Sequence, residues 1–356
     1  MKLFQIPAMR DNFVIGNIGL RQLSLLKKQD KEVLPLKVLR LLCLLILFCL
    51  FFSGTFSITA DIIAAEPVRH KMLLLDESRS QLLYVDQTNS DKNWKLDIEN
   101  GPAWGIQLIG NNQILVAMPK KGGFREYDLT TRKVVRECFD PVRYAGTMSA
   151  VRFPDGRTIL GCDRGFVRIF LLDGDGHETA AWEFPAMKII RQIRRTTRNT
   201  LLFGSNSDWC YEVSLEGKIV RELQLLGTKH NYQVTELPNG NWLIAGGYGC
   251  FLAEVDRENQ VIQRWGGQPF PDGLHYIFMS QFQTLKDGHL VVATWTGHGA
   301  NDSEKGQQVV EFDSTGHVVW TWHNPQLAGS IHGVIILDDL DTNKFYDDVD
   351  FTKDFK

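Results

Sequence analysis

Three histidines, His230, His275 and His332, stand at or just before alternating apolar runs, about 50 residues apart. An imidazole titrates near neutral pH, which suits proton transfer or nucleophilic attack. A histidine at the start of a strand also suits capping by hydrogen bonds, and the spacing leaves both roles open. Three glutamines, Gln192, Gln233 and Gln281, recur in similar surroundings. Each offers donors and acceptors, either to a ligand or to a neighbouring strand. The stretch RQIRRTTR, residues 191–198, is the most basic in the body of the chain. Arg191, Arg194, Arg195 and Arg198, with Arg143 and Arg164 as outlying candidates, suit paired hydrogen bonds to carboxylate, sulfate or phosphate. A solvated turn with incidental charges is the plainer alternative. A long polar interruption, TWTGHGANDSEKGQQ (294–308), carries Trp295 and His298, an aromatic and an imidazole suited to a sugar or aromatic ligand.

These residues are placed by a repeat. HNYQVTELPNGNWLIAGG (230–247) is an alternating strand, a Pro-Asn-Gly-Asn turn and a second apolar run, and it has counterparts throughout. The segments 105–138, 150–184, 192–223, 233–265 and 281–322 each read as four strands. The second strand ends on small residues (ILVA, ILGC, LLFG, LIAG, VVAT). The third often ends in acid–apolar–Asp (EYD, EVD, EFD), and the fourth resembles KVVREC, KIVREL, QVIQRW or HVVWTW. The segments start about 40 residues apart, the period of a four-stranded propeller blade. KMLLLDES, QLLYVDQ and KNWKLDI supply strands two to four of a sixth blade, and HGVIILDD supplies its first strand. The fold class predicted is therefore all-β: a six-bladed β-propeller of four-stranded blades, closed by a blade shared between N- and C-terminal strands. That closure leaves no sheet edge open in the ring. First strands line the channel of such a ring, at Trp104, Ser149, Arg191, Tyr232, Ser280 and His332 or the next residues along. Trp242 and Trp265 are expected between blades.

The strand–NGN–strand–ExD–GKVVW pattern resembles exported propellers of the quinoprotein-like and arylsulfotransferase-like group, over about residues 70–340. Quinoprotein dehydrogenases of that group have eight blades with tryptophan docking motifs, and bind pyrroloquinoline quinone with calcium. DSTGHVVW (313–320) looks like one such motif, but the other blades carry degraded versions and six blades are too few, so no quinone cofactor is expected. Similarity to arylsulfotransferases implies a channel histidine as nucleophile, helped by other histidines and an arginine; His230, His275 and His332 with Arg191 are the candidates. Lactonase-like propellers hold a metal on Glu, Asn and Asp in the channel. The channel positions here are poor in such oxygen ligands, and DGDG (173–176) reads as a hairpin turn, so no metal or calcium is expected.

The reading that results is a binding module for a small anionic or sugar-like ligand at the channel mouth. Its ligand residues are Arg191, Gln192, Tyr232, Gln233, Gln281, Arg194, Trp295 and His298. A channel-histidine transferase or hydrolase is the enzymatic alternative, and a scaffold for a protein partner is the third. Nucleic acid is excluded as a partner by charge. Residues 1–65 carry four more basic than acidic residues, and the remainder seven more acidic than basic, where a nucleic-acid footprint needs a basic surface.

Lys37 and Arg40 precede twelve unbroken apolar residues, Leu41 to Phe52, and alanines follow at 60, 64 and 65. This is the layout of a secretory signal. The apolar core is short for a span of about 20 residues, although reading on through residue 60 makes an uncleaved anchor. Residues 36–65 are thus expected to be a signal peptide or anchor, and the protein to be exported, periplasmic or at the cell surface. Contact with a membrane is expected only through that segment. Residues 1–35 are expected to be a non-native or disordered extension, residues 66–340 the propeller, and residues 341–356 an acidic surface tail. Cys138, Cys162, Cys210 and Cys250 match no zinc or disulfide spacing and are expected as buried thiols.

Overall fold

A computed structural model describes residues 67–99, 101–270, 273–299 and 301–351. The expected extension (1–35), the signal or anchor segment (36–65) and residues 352–356 lie outside them. Among the described residues no helix is long and apolar enough to cross a membrane.

Six four-stranded antiparallel sheets form the blades of a propeller. Strands β1 (Lys71–Asp76), β2 (Gln81–Asp86) and β3 (Trp94–Asp97) come first in the chain. The next blade holds β4 (Ile106–Gly110), β5 (Gln113–Ala117), β6 (Gly123–Asp128) and β7 (Lys133–Phe139). Then come β8 (Thr147–Arg152), β9 (Thr158–Cys162), β10 (Val167–Leu172) and β11 (Glu178–Phe184). The fourth set is β12 (Arg194–Arg195), β13 (Leu201–Ser205), β14 (Trp209–Val213) and β15 (Ile219–Gln224). The fifth is β16 (Val234–Glu236), β17 (Trp242–Ala245), β18 (Phe251–Val255) and β19 (Val261–Gly266). The last full set is β20 (Phe278–Thr284), β21 (Leu290–Trp295), β22 (Val309–Phe312) and β23 (Val318–Trp322). Strand β24 (Ile331–Ile336) then pairs antiparallel with β1, from Met72 opposite Ile336 to Leu75 opposite Gly333. It supplies the first strand of the closing blade, as the repeat predicts.

Burial explains the composition of each strand. Second strands lie between neighbouring blades, so both of their faces are covered, and β9, β13 and β21 are buried throughout. Fourth strands form the outer rim, and β7, β15 and β19 show mostly exposed or half-exposed residues. The small residues that end the second strands answer to close approach. A Cβ on Gly204 would lie 2.0 Å from the backbone oxygen of Asn231 in the next blade. Trp242 packs with Leu202, Cys210 and Leu223 of the preceding blade, and Trp265 with Tyr276, Phe278 and Phe312 of the following one. Burying apolar side chains of this size stabilises by about 2–3 kcal/mol each. The four cysteines are free, and three of them are buried.

The acid–apolar–Asp signature has a twofold structural cause. The final Asp accepts backbone N–H bonds of the next turn. Asp313 takes the Thr315 and His317 amides at 2.9 Å each, and Asp256 takes those of Glu258 and Gln260. Asp173 does the same for Asp175 and His177, so DGDG is a hairpin turn. The preceding acid sits at a bulge against the fourth strand and turns inward. Glu126 meets Arg152, Glu212 meets Arg198 and Thr200, and Glu254 meets Asn239 and Asn241.

The tail departs from expectation. Up to Val349 it is no surface appendage but lies across the channel end formed by the turns between first and second strands. The amides of Asn111 and Asn112 bond to Asn343 and Thr342 carbonyls. Arg195 Nε meets Asp347 Oδ2 at 2.9 Å and Arg194 Nε meets Asp348 Oδ2 at 2.7 Å. Asp347 and Val349 are buried. Two of the tail's acidic residues, Asp347 and Asp348, are paired here with arginines of the fourth blade, while Asp341 stays exposed.

Candidate functional site

The opposite channel end is open and holds a cavity of about 130 Å³. Two kinds of segment build it. Residues at first-strand starts contribute Trp104, Arg191, His230, Tyr232, Phe278 and His332. The ends of second strands and the loops that follow them contribute Tyr248, Trp295 and His298. Two acids from the same loops stand behind this lining: Glu77 from the closing blade and Asp163 from the blade of β8–β11.

His332 is the hub of the cavity floor. Its ring lies edge-on to Trp104 at 5.1 Å and Tyr232 at 5.0 Å, and stacks toward Phe278 at 6.4 Å. The Tyr232 hydroxyl donates to the Trp104 carbonyl at 2.5 Å and meets His332 Nδ1 at 3.2 Å. Since the hydroxyl's one proton goes to the carbonyl, Nδ1 of His332 carries the hydrogen of the second bond. Burial, with Arg191 and His298 nearby, pushes the imidazole down from 6.5 to about 3. His332 is therefore neutral at physiological pH. His230 is also lowered, by burial first and then by Arg191 and Lys229. It packs against Tyr248 at 5.7 Å.

Arg191 is the cation of the cavity. Its Nη1 meets Asp163 Oδ2 at 3.2 Å and the Ile190 carbonyl at 2.9 Å, and its guanidinium lies 5.4 Å over the Trp104 ring. Burial holds the Asp163 carboxyl above its ordinary range, with Arg191 opposing. The Trp104 indole N–H is buried and has no hydrogen-bond partner among the described residues. An indole N–H can only donate; closed off inside the wall, it is a donor left unsatisfied rather than one presented to the cavity.

His298 forms the third imidazole. Its Nδ1 lies 3.0 Å from Glu77 Oε1, and the Trp295 indole donates to Glu77 Oε2 at 3.1 Å. Glu77 is buried, whereas the His298 side chain is 65% exposed. A carboxylate on Nδ1 fixes the tautomer and leaves Nε2 as the basic nitrogen.

The sequence-predicted residues divide between several places. Arg191, Tyr232, His230, His332, Trp295 and His298 share the cavity. His275 does not; it is exposed, its Nδ1 meeting the Lys305 carbonyl at 2.7 Å. The glutamines bond to backbone carbonyls of other blades, Gln233 to the adjacent one and Gln192 and Gln281 across the channel, and none of them lines the cavity. Gln192 donates to the Trp104 carbonyl, Gln233 to the Phe282 carbonyl and Gln281 to the Ile106 carbonyl. The arginine stretch runs along the channel and scatters its charges. Arg194 and Arg195 meet the tail, and Arg198 pairs with Glu212 and Glu236. Arg143 pairs with Glu178. Tyr248, Phe278, Glu77 and Asp163 went unforeseen.

No protein-family model and no curated protein matches the sequence. Solved structures match the fold. A protein of unknown function from Bacteroides caccae superposes with a TM-score of 0.64 at 20% identity, covering 76% of this chain and 100% of its own. A streptogramin B lyase matches at 0.52 and 13% identity, over 72% and 83% of the two chains. A catalytically inactive virginiamycin B lyase from Staphylococcus aureus with quinupristin matches at 0.52 and 12%, over 74% and 87%. At these identities the likeness is one of fold.

Proposed function

We propose that the chain is an exported propeller whose open channel mouth binds a small ligand with an anionic group and an aromatic or sugar face. One observation carries this reading: the Arg191 guanidinium shares a cavity with His230 and His298, walled by Trp104, Tyr232, Tyr248, Phe278 and Trp295. Donors of this kind select an anion or an oxygen acceptor, and aromatic walls take a flat or sugar-like body. Export rests on the apolar segment from Leu41 to Phe52 and its basic flank. The test is a thermal-shift series on the full chain with aryl sulfates and with sulfated, phosphorylated and carboxylated sugars. A concentration-dependent rise in melting temperature should vanish in Arg191→Ala. No shift with any compound, or a shift that Arg191→Ala retains, overturns the reading.

A second reading, acid–base catalysis at the same site, is favoured by the Glu77–His298 pair. A histidine within hydrogen-bond reach of a carboxylate, sharing a cavity with an anion-stabilising arginine, is the arrangement that proton transfer requires. His298 Nε2 would take a proton from a substrate hydroxyl, from water, or from a C–H next to a carboxylate that Arg191 holds. Transfer or hydrolysis of the arylsulfotransferase-like kind falls within this chemistry. A neighbouring structure is a lyase by name, so the scaffold is compatible with it. For any anion that binds and is turned over, His298→Ala should lower kcat by about 10²-fold or more while binding persists, and Glu77→Gln should lower it less. Unchanged turnover in His298→Ala would leave binding alone as the function.

A further inference from the structure

At the other end of the ring, away from the mouth cavity, three carboxylates and two imidazoles form one chain. Asp338 Oδ2 meets His70 Nδ1 at 2.6 Å, and His70 Nε2 meets Glu311 Oε2 at 2.9 Å. The other oxygen of Glu311 meets His289 Nδ1 at 2.7 Å, and His289 Nδ1 lies 3.5 Å from Asp287 Oδ2. Glu311 occupies the inward acid position of its blade. In three other blades that acid meets arginine, threonine or asparagine; in this one both partners are imidazoles, which ligate metals.

We propose that Asp287, His289 and Glu311 form a divalent-metal site of the zinc type. One ligand atom from each lies within 4.8 Å of the other two. A tetrahedral ion with ligand distances of about 2.0–2.2 Å holds its ligand atoms about 3.3–3.6 Å apart, so it fits once it replaces the proton between His289 and Glu311, that 2.7 Å contact widens, and Asp287, 59% exposed on its turn, swings inward. One imidazole and two carboxylates suit zinc or a similar first-row ion better than magnesium or calcium, which take oxygen alone. Three protein ligands leave a coordination position open to solvent or substrate. The outer partners are already in place. His70 holds the far oxygen of Glu311, and Asp338 holds His70, the kind of support that orients a metal-binding carboxylate. The second such group among the described residues, Asp173, Asp175 and His177, lacks this support. None of the three is buried, whereas Glu311 is.

The experiment is calorimetric titration of zinc chloride into untagged, chelator-treated full chain. One ion should bind per chain. Asp287→Asn, a change at an exposed turn, should weaken binding about 10-fold or more, and His289→Ala about 100-fold. His70→Gln should weaken it 10–100-fold, as loss of an outer partner does. His177→Ala should leave it unchanged. Absence of saturable binding overturns the proposal, as does binding that Asp287→Asn and His289→Ala both leave intact. Because the site is remote from Arg191 and His298, its failure would leave the proposed mouth function standing.

Discussion

Acidification should destabilise this protein more steeply than its carboxylates alone account for, and His332 should be the reason. In the folded ring its imidazole is neutral, with a value near 3 against 6.5 when exposed. The unfolded chain therefore binds a proton that the folded one refuses. A depressed folded value means that the stability is fully present above pH 6.5 and is lost as pH falls from there toward about 3. By pH 4.5 the loss attributable to this one group is about 2–3 kcal/mol. His332→Phe keeps a ring among Trp104, Tyr232 and Phe278, and the Tyr232 hydroxyl still donates to the Trp104 carbonyl. Urea denaturation at pH 7.5 and 4.5 separates the contributions. The fall in unfolding free energy between the two pH values should be smaller in His332→Phe by about 2–3 kcal/mol. Equal falls in both proteins would show that His332 is solvated or charged in the fold.

Asp347→Ala should cost about 3 kcal/mol, the low end for breaking a buried ion pair. Its partner Arg195 has a side chain only 9% exposed. The variant removes the carboxylate that meets Arg195 Nε at the channel end. The low end applies for two reasons. Burial already pushes the Asp347 carboxyl above its ordinary range, with Arg195 opposing, so part of the ion-pair gain offsets desolvation. Arg195 also keeps the Asn199 side chain at 3.1 Å. Replacing both partners, Asp347→Ala with Arg195→Met, should cost less than the sum of the single changes, since the two side chains interact directly and the pair is lost only once. A melting temperature unmoved by Asp347→Ala would mean that the tail is not docked in solution.

The ring was legible in the sequence because its signals repeat. Apolar second strands and the 40-residue period arise in every blade, and an Asp, or Ser214 in the fourth blade, caps each third-strand turn, so each copy corroborates the others. The shared closing blade followed from three unpaired strands at one end and one at the other. The site was legible only in part. Arg191, Tyr232 and His332 are at first-strand starts and were found by position. Glu77, Asp163 and Tyr248 lie in loops between second and third strands, equivalent to the loop that follows Trp295 and holds His298. That loop is marked by its length; the short ones carry the composition of ordinary turns, although the repeat places them at the same mouth. The glutamines misled because a side chain in the channel meets strand carbonyls before it meets a ligand. Arg194 and Arg195 misled because their partners come from residues about 150 positions later, which no local pattern reports.

Strand β24 joins β1 across about 260 residues of chain, and this has a consequence in time. At about 5–20 residues per second, on the order of 10–50 s of synthesis separate the two partners. During that interval β1 has an uncovered edge, while blades already synthesised fold around a gap. The ring cannot lock until the ribosome has passed Ile336. A nascent or prematurely ended chain that stops before Ile331 is thus not a slightly smaller propeller. It is an open arc with a bare sheet edge, the form most exposed to strand-to-strand aggregation.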